Sequence, residues 1–247
     1  FEVGITQLGG SALNIRPEEI QMGKRESIAD IARVISRYVD AVMMRVLRHS
    51  DIVEFAKYSN APVINGLSDL YHPCQAVSDM LTIEEHKGKL RGLTLCYVGD
   101  GNNVCNSLIE MAHLTGMKMI VSCPEGYEPY INSKKIPHKI VRDPNSAVSG
   151  ADVIYTDVWT SMGQEKESLI RLRAFRDYTI SEAMMAQAAP GAIFMHCLPA
   201  HRGEEVDKAV VDGPQSVIFD QAENRLHAQK AVLALLLSKE LQLENLS

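Results

Sequence analysis

The stretch "LTLCYVGDG" at residues 93–101 constrains the fold most, because it is apolar almost without interruption until it ends in glycine and aspartate. A strand with one face in water alternates apolar and polar side chains, whereas a strand covered on both faces is apolar throughout. A helical pattern, "NVCNSLIEMAHLTG" at 103–116, follows directly, and another apolar run comes after it. The pattern therefore predicts parallel strands with helices on both faces of the sheet.

The same alternation of short apolar runs and helical patterns extends along most of the chain. Ser27 is a suitable N-cap for the first predicted helix, and Gly116 is a suitable C-cap for a later one. We predict the fold class as α/β, with two doubly wound parallel-sheet domains joined by a hinge. The predicted strands are 40–46, 61–66, 93–101, 117–123, 151–159, 192–198 and 216–222, and the predicted helices are 27–38, 50–59, 72–88, 103–116 and 223–243.

A charged segment marked by glycine, "HKGKLRG" at 86–92, is the best candidate for a domain boundary. We therefore assign residues 1–88 to a first domain and residues 89–222 to a second. The C-terminal segment 223–247 begins as an amphipathic helix rich in alanine and leucine. We expect this helix to pack back onto the first domain.

Composition and charge exclude several classes of protein. The chain has 247 residues, of which 46% are hydrophobic and 23% charged, and this balance is typical of a globular protein. The net charge of -6 argues against a general nucleic-acid-binding surface, and no apolar run approaches the roughly 20 residues that span a bilayer. The five cysteines are scattered without a CxxC pair, so we expect a reducing compartment and neither a disulfide framework nor a metal site.

Four clusters of chemically active side chains follow predicted strands. In open parallel sheets, ligands bind beyond the carboxyl ends of the strands. We therefore expect these clusters to form a site for a small polar substrate, with a local basic pocket for an anion. The clusters are Asp100–Asn103, Asp157–Gly163, His196–Arg202, and Arg45 together with His72–Gln75.

The residues alone leave alternatives open for these clusters. The turn "GDGNNV" at 99–104 lacks the GxGxxG spacing, and the next strand ends without an acidic residue, which disfavours a dehydrogenase. Asn102 and Asn103 fit either a helix cap or a contact to a small polar ligand. Cys197 fits a polar contact to a ligand amine better than a nucleophile, because the neighbouring His196 points to the opposite face of the strand.

Taken together, the motifs resemble those of the ornithine carbamoyltransferases, in order and spacing, over essentially the whole chain. The resemblance implies transfer of the carbamoyl group of carbamoyl phosphate to the δ-amine of L-ornithine, which gives L-citrulline and phosphate. The "SMG" segment favours ornithine over aspartate, putrescine and N-acetylornithine, the acceptors of sister transferases. The motifs are "HPCQ" at 72–75, "GDGNNV" at 99–104, "DVWTSMG" at 157–163, "HCLPAHRGEEV" at 196–206 and "AENRLHAQKAV" at 222–232.

The resemblance also implies roles for individual residues. Arg45, His72 and Cys197 fall at catalytic positions, and the bond between Leu198 and Pro199 is commonly cis in the family. The residues at carbamoyl-phosphate-binding positions are Gln21, Arg45, His72, Gln75, Cys197, Leu198 and Arg225, and those at ornithine-binding positions are Asn103, Asp157, Ser161 and Met162.

The resemblance implies that the protein uses neither a cofactor nor a metal. Its partners are then its small-molecule substrates, and neither a nucleic acid nor a membrane is expected. Because the family is usually trimeric, we expect a homotrimer or a multiple of trimers. The expected location is the bacterial cytoplasm, and the mitochondrial matrix is the alternative.

One motif of the family is not found in this sequence. The family carries a Ser-x-Arg-Thr-Arg phosphate-binding segment immediately before a stretch like "FEVGITQLGG", with which this chain begins. We therefore expect a shortened form, in which the first domain is an incomplete carbamoyl-phosphate-binding domain and the second binds ornithine. We expect such a chain to be impaired in binding carbamoyl phosphate. The alternatives are a non-catalytic amino-acid-binding or regulatory relative and a carbamoyltransferase for another amine.

Overall fold

The structure of the chain is a computed structural model that describes residues 1–130, 136–160 and 165–238. The chain divides into two units. The first comprises Phe1–Cys74 and the chain from Arg225 onward, and the second comprises Gln75–Asn224. Across the described residues, no helix is both long and apolar enough to cross a membrane.

The first unit contains a two-stranded parallel sheet. Val42 pairs with Val63 and Met44 pairs with Asn65, and the register then shifts before Arg45. The extra residue belongs to β2, because Gly66 lies between Asn65 and Leu67, the partners of Met44 and Arg45. The elements are β1 (Val42–Arg45), β2 (Val63–Leu67), α1 (Glu2–Gln7), α2 (Pro17–Ile20), α3 (Ile28–Ile35) and α4 (His49–Tyr58).

The last helix that the structure describes, α11 (Ile218–Leu237), ends in the first unit. Its Leu233 lies in one apolar cluster with Ile64 of β2, and Phe1 packs against this cluster. The amino group of Phe1 donates a hydrogen bond to Gln229 of the same helix at 3.2 Å. These contacts hold the C-terminal part of the helix against β2 and the N-terminal segment.

The second unit contains a five-stranded parallel sheet. The sheet grows from its central strand first to one side and then to the other, so it has a topological switch point where ligands of such sheets bind. In spatial order the strands are β5 (Lys139–Ile140), β4 (Lys118–Ser122), β3 (Thr94–Val98), β6 (Val153–Thr156) and β7 (Ile193–His196).

The central strand β3 is buried on both faces, as its apolar sequence predicts. Leu95 and Tyr97 lie in one buried apolar cluster, whereas Cys96 and Val98 lie in a second one. The predicted α/β class with parallel sheets is therefore confirmed. The helices of this part of the chain are α5 (Pro73–Lys87), α6 (Asn103–Thr115), α7 (Pro144–Val148), α8 (Ser168–Phe175), α9 (Glu182–Met185) and α10 (Lys208–Val211).

Helix α5 packs with the second unit for most of its length. Its Ala76, Met80 and Ile83 lie in the same apolar cluster as Leu95 of β3. The two units therefore meet in the chain at residues 74 and 75, whereas the sequence places a boundary at 86–92. The assignment of a binding role to each domain stays a prediction.

The predicted strand at 216–222 is wrong. Ser216 forms a single bridge to β7, and α11 begins two residues later at Ile218. In a strand, positions 219 and 221 would share one face, but Phe219 is 70% exposed and Gln221 is buried. The segment begins with apolar and β-branched residues, which favour a strand. Its pattern of buried and exposed side chains is nevertheless that of a helix.

Candidate active site

A cluster of basic side chains lies in the first unit. Arg45 stands at the end of β1, His72 immediately precedes α5, and Arg225 lies on α11. Burial lowers the pKa of His72 from 6.5 to about 4, and the charges of Arg225 and then Arg45 add to the effect. The imidazole is therefore neutral at pH 7 and lies in a positively charged environment, which suits an anionic ligand.

The low pKa of His72 makes stability depend on pH. The unfolded chain takes up this proton near pH 6.5, but the folded chain takes it up only near pH 4. The stability associated with the neutral imidazole is therefore fully present above pH 6.5 and is lost as the pH falls towards 4. We expect a loss of about 2 kcal/mol between about pH 7.5 and pH 5.

Urea unfolding at a series of pH values measures this dependence in the wild-type protein and in His72→Asn, which cannot titrate at this position. We expect the wild-type protein to lose more stability than the variant across the window. Equal pH dependence in the two proteins would contradict the assigned cause.

Gln21 lies apart from helices and strands, at the C-cap of α2. It adopts a left-handed backbone conformation with φ 44°, and its side chain is exposed. Its amide donates to the backbone oxygen of Glu18 at 3.3 Å, which is a local contact. Its role in binding carbamoyl phosphate stays a prediction.

Asp157 is the centre of a second cluster, at the switch point of the five-stranded sheet. Its Oδ1 accepts hydrogen bonds from the Cys197 thiol at 3.0 Å and from the backbone of Val158 at 2.8 Å. Its Oδ2 accepts from the Asn102 amide at 2.7 Å. The ends of β3, β6 and β7 thus bring together side chains from three separate parts of the sequence, as expected for the carboxyl ends of parallel strands.

Cys197 is a thiol and not a thiolate in this setting. Burial, and then the negative charge of Asp157, raise the pKa of Cys197 well above its ordinary value. His196 does not pair with it, because the His196 ring contacts Glu205 at 3.2 Å and the backbone of Leu198. This geometry favours a hydrogen-bonding role for Cys197, as the sequence predicts.

In the turn after β3, the structure shows the first of the two alternatives for Asn102, the helix cap, and a contact to a ligand stays a prediction. The Asn102 side chain caps α6 by accepting from Val104 and Cys105, and it also donates to Asp157. Asn103, the residue predicted to bind ornithine, is the first residue of α6 and is half-buried. Helix α6 thus presents Asn103 at its N-terminus, beside the residue that holds Asp157.

A buried ion pair anchors the loop after β6, and the sequence pattern gave no sign of it. Arg171 of α8 donates to Asp100 at 2.8 Å and to the backbone oxygen of Trp159 at 3.0 Å. Burial raises the pKa of Asp100 to about 6, although the charge of Arg171 opposes the rise. The pair joins α8 to the ends of β3 and β6. Ser161 and Met162, two predicted ornithine-binding residues, lie outside the described residues.

A buried chain of polar side chains is the other feature that the sequence pattern did not predict. Asp79 accepts from the amides of Gln75 and Gln221, each at 2.8 Å, and from the Tyr155 hydroxyl at 3.0 Å. Because a carboxylate only accepts, the Gln75 amide nitrogen faces Asp79. The buried Gln75 Oε1 has no hydrogen-bond partner among the described residues, so it is available to an N–H donor.

Leu198 has an unusual backbone. Its φ is 58°, in the left-handed region that side chains other than glycine rarely occupy. The bond between Leu198 and Pro199 is cis, which confirms the expectation from the resemblance.

Among the residues that the structure describes, two groups of side chains have donor atoms that all lie within 4.8 Å of one another and could hold a cation. Asp157 Oδ1 and Glu205 Oε1 in these groups already accept protein hydrogen bonds. The expectation that the protein needs no metal stays a prediction. The groups are Asp157 with His196 and Cys197, and His201 with Glu204 and Glu205.

Comparison with protein families covers both parts of the chain. The family described as aspartate/ornithine carbamoyltransferase, carbamoyl-P binding domain, matches residues 1–85. The family described as aspartate/ornithine carbamoyltransferase, Asp/Orn binding domain, matches residues 91–236. The chain belongs to the aspartate/ornithine carbamoyltransferase family. This membership decides against the oxidoreductase that the turn at 99–104 left open.

Members of the carbamoyltransferase family resemble the chain over nearly its whole length. Ornithine carbamoyltransferase of Archaeoglobus fulgidus is 57% identical over 97% of the chain and 80% of its own length. The anabolic ornithine carbamoyltransferase of Pseudomonas aeruginosa is 51% identical over 96% of the chain and 79% of its own length. The solved ornithine carbamoyltransferase of Pyrococcus furiosus superposes with a TM-score of 0.90 at 51% identity, over 96% of the chain and 79% of that structure.

Proposed function

We propose that this chain transfers the carbamoyl group of carbamoyl phosphate to the δ-amine of L-ornithine, with L-citrulline and phosphate as products. The observation that carries the proposal is the identity of 51–57% to relatives named ornithine carbamoyltransferase, over 96–97% of the chain. The geometry within each unit supports it, because one cluster suits an anion and the other suits an amine.

In this proposal the first-unit cluster binds carbamoyl phosphate. Arg45 and Arg225 supply positive charge, and neutral His72 supplies a donor that does not lose its proton at pH 7. Attack of the amine builds negative charge on the carbamoyl oxygen, and fixed donors stabilise such charge most strongly in the transition state. Gln75 offers its buried Oε1 to the carbamoyl NH₂ group.

In this proposal the second-unit cluster binds the amine and orients it for attack. An alkylammonium group has a pKa of about 10.4, so it must lose a proton before its nitrogen can attack the carbamoyl carbon. Asp157 can accept an ammonium N–H, and Cys197 keeps its thiol proton and orients the group. The C–N bond then forms and the bond between the carbamoyl carbon and the phosphate oxygen breaks. Phosphate departs with the electron pair of that bond and takes up the second proton of the nitrogen. Asn103, Ser161 and Met162 complete the ornithine contacts that the resemblance implies.

A colorimetric assay for citrulline tests the proposal on the full-length protein. Carbamoyl phosphate is supplied with L-ornithine, and in parallel with L-aspartate, putrescine or N-acetyl-L-ornithine. We expect ornithine to be carbamoylated with the highest kcat/KM. Preference for another amine would show a different transferase, and calorimetric binding of ornithine without turnover would show a non-catalytic relative.

The remaining assignments belong to the same proposal. We propose that residues 1–88 with the C-terminal helix form the carbamoyl-phosphate-binding part and that residues 89–222 form the ornithine-binding part. We further propose a homotrimer or a multiple of trimers, a cytoplasmic location and an activity that needs no cofactor. The archaeal and bacterial sources of the relatives support the location, and the name "anabolic" of one relative supports a role in arginine biosynthesis.

A further inference from the structure

His196 lies at the end of β7 and is completely buried. The backbone N–H of Leu198 donates to its Nδ1 at 2.8 Å. Nδ1 must therefore be the unprotonated nitrogen, and in the neutral ring the proton is on Nε2. Nε2 lies 3.2 Å from Oε1 of Glu205, which can only accept, so the two contacts require the same tautomer.

Glu205 is also completely buried, and the loop after β7 holds it in place. Its Oε1 accepts a second hydrogen bond from the backbone N–H of His201 at 2.5 Å. The ring of His196 is thus fixed at one nitrogen by a carboxylate whose own position is set by the backbone. A carboxylate behind a histidine orients the ring in the same way in metal sites.

The segment between these contacts is the one that contains Cys197. The backbone N–H of His196 donates to Gln221 at 2.9 Å, and that of Leu198 donates to the His196 ring. The Cys197 side chain donates to Asp157. The left-handed backbone of Leu198 is a conformation that persists only where surrounding contacts impose it.

We infer that Glu205 and His196 are positioning residues, which fix the Cys197–Leu198 segment through the His196 ring. The inference rests on the proposed function, in which Cys197 orients the attacking amine. Glu205 sets the tautomer and orientation of His196, and Nδ1 of His196 holds the Leu198 amide. A displacement of about 1 Å in such a group lowers a reaction rate by about 10²-fold.

Two amide substitutions separate the functions of the two ring nitrogens. Asn in place of His196 offers a polar atom close to the position of Nδ1, whereas Gln offers one close to that of Nε2. His196→Asn can therefore keep the contact to Leu198 and loses that to Glu205, while His196→Gln does the reverse. Both remove the same buried ring, so each is the packing control for the other.

Two readouts on the full-length protein compare these variants. Hydrogen exchange at the Leu198 amide reports the contact itself, and kcat with saturating ornithine reports its effect on turnover. We expect His196→Asn to keep the Leu198 amide protected and most of the activity. We expect His196→Gln to exchange faster and to lose about 10²-fold in kcat, with an unchanged KM for carbamoyl phosphate. Equal losses in both variants, in proportion to their loss of stability, would overturn the inference.

A second pair of variants tests Glu205. Gln at this position still accepts the Nε2 proton through its carbonyl oxygen, whereas Leu cannot accept it. We expect Glu205→Gln to keep the Leu198 amide protected from exchange and to keep kcat, whereas Glu205→Leu loses both. Equal behaviour of the two variants would contradict the role of Glu205. If the wild-type protein formed no citrulline, the proposed function would fail, but exchange at Leu198 would still decide whether His196 holds this segment.

Discussion

Replacement of Arg45 by alanine in the full-length protein is expected to lower kcat/KM for carbamoyl phosphate by about 10²–10³-fold, or about 3–4 kcal/mol of transition-state stabilisation. Arg45 follows a register shift at the end of β1, and its charge contributes to the low pKa of His72. Its loss removes a donor from the oxygen on which charge develops, so kcat should fall together with kcat/KM.

Arg48→Ala is the matched control for this experiment. Arg48 lies three residues further along the chain, and its exposed guanidinium pairs with Asp51 at 2.9 Å. A pair with one exposed partner is screened by water and contributes little to stability, so activity should stay within about twofold of the wild-type value. Similar losses in Arg45→Ala and Arg48→Ala would show a general effect of charge and not a specific donor.

Replacement of Asp157 by asparagine is expected to have the largest effect, a fall in kcat of about 10³-fold. Asparagine keeps the shape of the side chain but removes the negative charge and one of the acceptor atoms. The Cys197 thiol and the Asn102 amide both donate to Asp157, so one of them must face an N–H₂ group in the variant. The substrate ammonium group also loses its acceptor. Steady-state kinetics with ornithine from about pH 6 to pH 10 measure the effect.

Asp152→Asn is the control at the opposite end of the same region of the sheet. The Asp152 carboxylate accepts the backbone N–H of Thr94 at 2.8 Å, at the amino end of β3. Asp152→Asn removes a carboxylate charge close to the same strands but leaves the carboxyl ends of those strands unchanged. We expect lower stability with kcat close to the wild-type value. A kcat for Asp157→Asn within about tenfold of the wild-type value would exclude Asp157 from the chemical step.

The strands of the second unit were predictable because a strand that is buried on both faces is apolar along nearly its whole length. A short apolar run such as 93–98, bounded by glycine on both sides, fits a doubly covered strand better than a surface element, and the end of such a strand marks where ligands bind. The contact between Asp157 and Cys197 follows from this rule, although the two residues are 40 positions apart. The segment 216–222 was misassigned because its apolar start fits a strand as well as a helix.

The buried polar contacts were not predictable in the same way. Gln75, Asp79 and Gln221 lie on helices, where polar residues normally face water, and Asp79 and Gln221 are separated by 142 positions. Only the fold shows that these side chains are buried and which partners satisfy them. The pairing of His196 with Glu205 was missed for a related reason, since it depends on a loop that returns to the strand it left.

The double burial of β3 limits where this protein can change during evolution. Insertion of a single residue into the strand would exchange every side chain between the two apolar clusters, so the strand itself tolerates little variation. A carbamoyltransferase of this architecture can therefore acquire a new amine acceptor most readily through substitutions in the loops that leave the sheet, while the strands beneath them stay as they are.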